Sequence, residues 1–182
     1  MAVLIEGYSI VINKEQALKN QKALDALGSV EGTLHPTAIC SDEDLLRIGF
    51  LDLKQANEFL AALEGGGLET SKDMVMLTQF GESEMPCDWL STQFTKLKDN
   101  TLICLASKVS SKPVKGVAMP KGWSLETSLL KRYYEERINY MHEGYRLLRE
   151  EPMHSVYKHN QTGNEVRLLR LTVKEMAESE LQ

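Results

Sequence analysis

The chain has 182 residues, 42% of them hydrophobic and 26% charged, with a formal charge of −5. That length suits one domain or a domain with an appendage, and that composition builds a packed core and excludes an intrinsically disordered chain. No run approaches the roughly 18 apolar residues of a membrane-spanning helix, and three cysteines without a C-x-x-C pair argue against a disulfide framework.

In chain order, residues 3–12 concentrate Leu4, Ile5, Ile10, Val11 and Ile12 and predict a strand, broken at Gly7. Asn13 as N-cap, with Gln16 three residues on, predicts a helix whose face carries Ala17, Leu18, Leu24 and Leu27 and which Gly28 ends. Residues 37–40 and 45–51 predict two strands joined by the acidic turn 41–44, with Ile48 and Phe50 on one side. Asp52 and Gln55 repeat the cap, and Leu53, Ala56, Phe59, Leu60 and Leu63 recur at helical spacing until the glycines at 65–67. A strand over 74–79 follows. This order, βαββαβ, predicts an α+β fold with a ferredoxin-like N-terminal module, one sheet against two helices.

Beyond it, residues 86–97 predict a short helix and 101–107 an additional buried strand. Residues 108–123, with two prolines, two glycines and four lysines, predict a loop without regular structure. From Ser124 as N-cap a single helix is expected to about residue 150, roughly 39 Å long at 1.5 Å per residue. Residues 155–159 and 165–173 predict a hairpin around 160–164. The division is therefore 1–107 as an α/β module, 108–123 as a basic linker, and 124–182 as helix, hairpin and polar tail docked on the first module or on a second subunit. Charge follows it: residues 1–107 sum to −8, 108–174 to +6, and the tail to −3.

Few residues suggest chemistry. Cys87 sits where a helix start would favour thiolate, but the neighbouring Asp88 opposes this and no local histidine supplies a base, so the pair is a weak catalytic candidate. His35, His142, His154 and His159 lack metal-ligand spacing, and no metal or other cofactor is expected. The glycines at 65–67 follow a helix rather than open one, so they read as a stop and not as a phosphate cradle. Lys108, Lys112, Lys115, Lys121 and Trp123 form a candidate polyanion contact, which the pI of 5.5 and the scarcity of sheet aromatics disfavour. Leu130, Tyr134, Ile138, Met141 and Tyr145 form a candidate interface, whose stripe on so long a helix predicts a homodimer.

Residues 50–60 resemble segments of ferredoxin-like and glyoxalase-like proteins, where a strand leads into an acidic cap and an amphipathic helix. A glyoxalase-type centre would need His and Glu ligands on several strands, and the chain offers no such set. The leading expectation is a cytoplasmic, non-enzymatic binding or regulatory protein with a small-molecule ligand, without nucleic-acid or membrane partners. The alternatives are a small enzyme with a pocket between the sheet and the C-terminal segment, using Cys87, Asp88 or a histidine, and a polyanion binder using the 108–123 loop.

Overall fold

The computed structural model describes residues 1–31, 34, 38–109 and 113–173. Two predicted features, His35 and Lys112, lie outside the described residues, as do the start of the strand over 37–40 and the tail 174–182.

The opening apolar run is two strands, β1 (Ala2–Ile5) and β2 (Tyr8–Asn13), which enter different sheets. Gly7 makes the break: its φ is +55°, and a Cβ there would lie 2.3 Å from the Phe50 carbonyl oxygen, so only glycine fits. The first helical stretch is also divided, into α1 (Lys14–Leu18) and α2 (Gln21–Glu31). Asn13 caps α1 as expected, accepting from the Glu15 amide. Asn20 restarts the helix by accepting from the Lys22 and Ala23 amides, and α2 runs through Gly28, which does not end it. Next come β3 (Ile39–Ser41), β4 (Leu45–Phe50), α3 (Leu53–Gly65) and β5 (Met74–Thr78). Asp52 caps α3 with two amide bonds, and Gly66 with Gly67, at φ +99°, ends it.

β2 to β5 form an antiparallel sheet in the order β3-β4-β2-β5. One face carries Ile10, Ile12, Ile48 and Phe50 and packs on the helices through Ala56, Phe59, Leu60 and Leu63. Its other face, with Val11, Leu45, Val75 and Leu77, meets Val3, Ile5, Cys104 and Ala106 of a second sheet. That sheet, β6-β7-β1-β8, comprises β6 (Leu90–Lys96), β7 (Leu102–Lys108), β1 and β8 (Val117–Ala118). Both sheets are covered on both sides, which is why β1, β2 and β7 read as unbroken apolar runs rather than alternating ones.

Three expectations are corrected here. Residues 90–96 are strand, not helix: every position from Leu90 to Lys96 is in register with β7, and Ser91, Thr92 and Gln93 are exposed, which an edge strand tolerates without an apolar stripe. Residues 117–118 pair in parallel with β1, so the basic segment is not wholly irregular. Finally, the long helix is only α4 (Leu129–Gly144), 16 residues and about 24 Å, preceded by a 3-10 turn at Leu125–Thr127. Ser128, not Ser124, caps it, and at Gly144 the chain turns extended into β9 (Tyr145–Glu150). The helical spacing of Met141, Tyr145 and Leu148 persisted across this boundary by coincidence of two periods. The predicted hairpin is present as β10 (His154–His159) and β11 (Glu165–Leu169), and β9 adds to it as a third antiparallel strand.

Candidate functional site

The predicted interface stripe is covered largely within the chain. Leu130 packs with Ala2, Leu4, Ile103 and Leu105 on the outer face of the second sheet. Tyr134, Ile138, Met141 and Tyr145 pack around Tyr157 and Leu168 of the three-stranded sheet. Apolar exposure in this segment remains at Tyr140, Leu147 and Leu148.

A buried polar network locks the start of α4 to the sheets. Glu6 and Arg47 are wholly buried and paired at 2.9 Å. Glu6 Oε1 also accepts from the Trp123 indole at 2.7 Å and from the Leu130 amide at 3.3 Å, placing a carboxylate at the positive end of α4. Arg47 Nη1 donates to the Ala38 carbonyl, while its Nε is buried without a hydrogen-bond partner. Gln79 bridges the same layers, accepting from the Gly7 amide and donating to the Leu130 carbonyl.

With that end fixed, α4 presents Tyr133 and Arg137 to the open end of the first sheet. Tyr133 packs edge-on against Tyr8 at 5.1 Å and beside Phe80 at 5.6 Å. Arg137 lies over the Tyr133 ring, 5.3 Å from its centroid. Its Nε and Nη2 donate to the Tyr133 hydroxyl at 3.3 and 3.1 Å, and Nη2 donates to the Tyr8 hydroxyl at 3.2 Å. Burial pushes the Tyr133 phenol up to about 12, against the lowering influence of Arg137, so it stays protonated. Burial opposes the Arg137 charge, but the bond to Tyr133, with Tyr8 and Glu82 nearby, more than offsets it and raises its pKa. Among the described residues Arg137 has no carboxylate within ion-pair distance and its Nη1 makes no hydrogen bond. Of its five donors three are turned to the phenols, and the two on Nη1 are left to donate to an anion.

Arg137 and Tyr8 wall a cleft of about 360 Å³, with Leu53, Met76, Leu77 and Met85 as its apolar lining and Asn57, Thr78, Ser83, Glu82 and Glu84 as its polar one. Its size lies at the small end of ligand sites. The loop after β5 is pinned: the Thr78 amide donates to the Glu82 carbonyl, the Met85 amide to the Ser83 hydroxyl, and the Met76 amide to the Met85 sulfur.

The other predicted residues lie elsewhere. Cys87 is half-buried and Asp88 exposed on the irregular chain before β6, in an open depression with Thr70, Ser71, Lys72 and Trp89, and no histidine lines it. His142 is exposed on α4, while His154 and His159 stand at opposite ends of β10. His154 lies by Arg167, and His159 accepts the Gln161 and Thr162 amides within the hairpin. Lys108 pairs with Glu15 at 3.0 Å, Lys115 and Lys121 are exposed, and Trp123 spends its indole proton on Glu6. Among the described residues no group of three or more His, Cys, Asp and Glu side chains converges as metal ligands would, and no helix is long and apolar enough to cross a membrane. No protein-family model matches the chain, and comparisons with curated proteins and with solved structures yield no match.

The cleft residues Tyr8 and Arg137, and Tyr133 that holds Arg137, were not singled out as a site from the sequence, because strand and helix are distant along the chain and the positions are ordinary. Glu6 and Arg47 did carry a signal, the first the lone charge in the run 2–12 and the second the lone charge in β4.

Proposed function

We propose that the chain is a non-enzymatic binding protein that holds a small organic carboxylate in the cleft between β2, β5, α3 and α4. The observation that carries this reading is Arg137, a residue of the cleft wall that is fixed by the Tyr8 and Tyr133 hydroxyls and keeps its Nη1 unspent. Such a group, held in place before a ligand arrives, recognises a carboxylate with little loss of side-chain entropy. The reading places this cleft on a ferredoxin-like module spanning 8–78, whose strand order and intervening helices support that description. The test is a neutral-pH screen of small carboxylates by amide NMR shifts. Shifts should concentrate at Tyr8, residues 76–78 and Arg137, and vanish in Arg137→Gln. A screen that leaves those amides unmoved, while the protein is folded, removes the proposal.

Exposed Tyr140, Leu147 and Leu148 around the edge strand β9 favour self-association as a second reading. Antiparallel pairing of two β9 strands centred on Leu148 sets Arg146 of each copy opposite Glu150 of the other. Sedimentation equilibrium should then find a dimer that Leu147→Asp with Leu148→Asp converts to monomer; a monomeric wild type refutes it.

A further inference from the structure

We infer that the cleft is built for a zwitterionic α-amino acid with an apolar side chain, its carboxylate on Arg137 and Tyr8 and its ammonium toward Glu82 and Glu84. This deepens the carboxylate reading and rests on it. The cleft lining carries both signs of charge. Arg137 and the Tyr8 hydroxyl form one wall, and the loop carrying Glu82 and Glu84 forms another part of the lining. A simple monoanion seated on Arg137 would meet two acidic side chains in the same small cleft, and a simple amine would meet the guanidinium. A ligand with both charges meets a partner for each, and like-charge juxtaposition disfavours ligands with only one.

The loop that bears the acids is not loose chain. Thr78 binds it at the Glu82 carbonyl, Gly81 turns it with φ +76° while its amide donates to the Thr78 carbonyl, and Ser83 Oγ donates to the Met85 carbonyl. The apolar part of the lining is Leu53, Met76, Leu77 and Met85. Leu53 is 44% exposed although it begins an otherwise buried helix face, so an apolar ligand group laid across it would cover surface that the fold leaves open. Two methionines adapt their shape to unbranched or branched side chains alike, so the class is apolar amino acids rather than one member.

The experiment titrates three probes that share leucine's α-carbon and isobutyl group, L-leucine, 4-methylpentanoate and 3-methylbutylamine, into the whole protein at neutral pH, following the cleft amides. L-leucine should bind about tenfold or more tighter than either single-charge probe, as expected for losing one charged hydrogen-bonding partner. Glu82→Gln with Glu84→Gln should bring L-leucine down to the 4-methylpentanoate affinity and leave 4-methylpentanoate no weaker. Arg137→Gln should bring L-leucine to the amine's affinity, and Tyr8→Phe, which keeps the ring, serves if that variant does not fold. Equal binding of 4-methylpentanoate and L-leucine overturns the zwitterion while leaving the carboxylate site standing. Failure of L-leucine where other carboxylates move the same amides does so too. Silence of the cleft amides with every carboxylate removes both.

Discussion

Replacing Arg47 by methionine tests whether the buried ion pair holds the layers together. The substitution keeps much of the aliphatic volume but removes the bonds to Glu6 at 2.9 Å and to the Ala38 carbonyl at 3.1 Å. It strands a carboxylate that is wholly buried and retains the Trp123 indole and the Leu130 amide as donors. Removing one partner of a buried pair costs about 3–5 kcal/mol. The buried Arg47 Nε, which has no partner, already costs the folded state about 1–3 kcal/mol. Losing that penalty places the expected destabilisation near the low end, about 3 kcal/mol.

Against a total stability of about 5–15 kcal/mol this is a large fraction. With urea slopes of about 1–3 kcal/mol/M, the midpoint should fall by roughly 1–3 M at unchanged slope. Urea unfolding followed by far-UV circular dichroism reads it directly. The double variant Glu6→Leu with Arg47→Met should recover part of the loss, because the stranded charge is gone, but not all, because Trp123 and Leu130 lose their acceptor. An Arg47→Met midpoint equal to wild type, or a double variant less stable than both singles combined, refutes the reasoning.

Three further outcomes follow from burial. Denatured, unreduced protein should titrate three thiols, while native protein should react promptly at Cys87 alone, because Cys40 and Cys104 are buried and burial pushes Cys104 up to about 12; a native protein that reacts at all three, or a denatured one with a single thiol, refutes this. Ile138→Asp should destabilise the fold by about 2–4 kcal/mol in thermal or urea unfolding, since the residue packs into the apolar cluster of Met141, Tyr157 and Leu168; an unchanged melting curve refutes the packing. His154 should titrate by NMR below its ordinary 6.5, chiefly from burial and then from Arg167, against the pull of Glu151, and Arg167→Gln should recover part of the shift. Because the folded value is depressed, the unfolded chain takes the proton first, so this residue's share of stability is present above about 6.5 and is lost as pH falls through the folded value.

How far the sequence reaches is visible element by element. The caps at Asn13 and Asp52, the apolar face of α3 and the hairpin of β10 and β11 are local signals, and each was legible because its cause lies within a few residues. The second sheet was not, because β1 pairs with β7 a hundred residues away and nothing in residues 2–5 distinguishes that partner from β4 or β5. The end of α4 escaped for another reason. Tyr145 and Leu148 continue the helical stripe, and only the pairing of β9 with β10 makes extended backbone the better choice there. Of the cleft, Leu53 was visible as a helix residue but not as part of a site, since the cleft exists only once α4 is laid across β2.

That last contact links the stability network to the site. Arg137 is two helical turns from Leu130, and Leu130 is the residue whose amide and carbonyl Glu6 and Gln79 hold. Helix geometry then carries the fixed position of Leu130 to Arg137 at about 1.5 Å per residue, with both on neighbouring stripes of one rigid rod. Glycine at position 49 belongs to the same arrangement. A Cβ there would lie 2.5 Å from Arg47 Nη1 and 2.8 Å from a Leu129 methyl, so the buried pair and the helix start share space that no larger residue leaves. A shift of a few tenths of an ångström at that end is enough to lengthen bonds of 3.1–3.3 Å between Arg137 and the two phenols beyond useful range. If the cleft holds the proposed carboxylate, the buried charges at the base of α4 act on its affinity through the position of Arg137, although none of them lines the cleft.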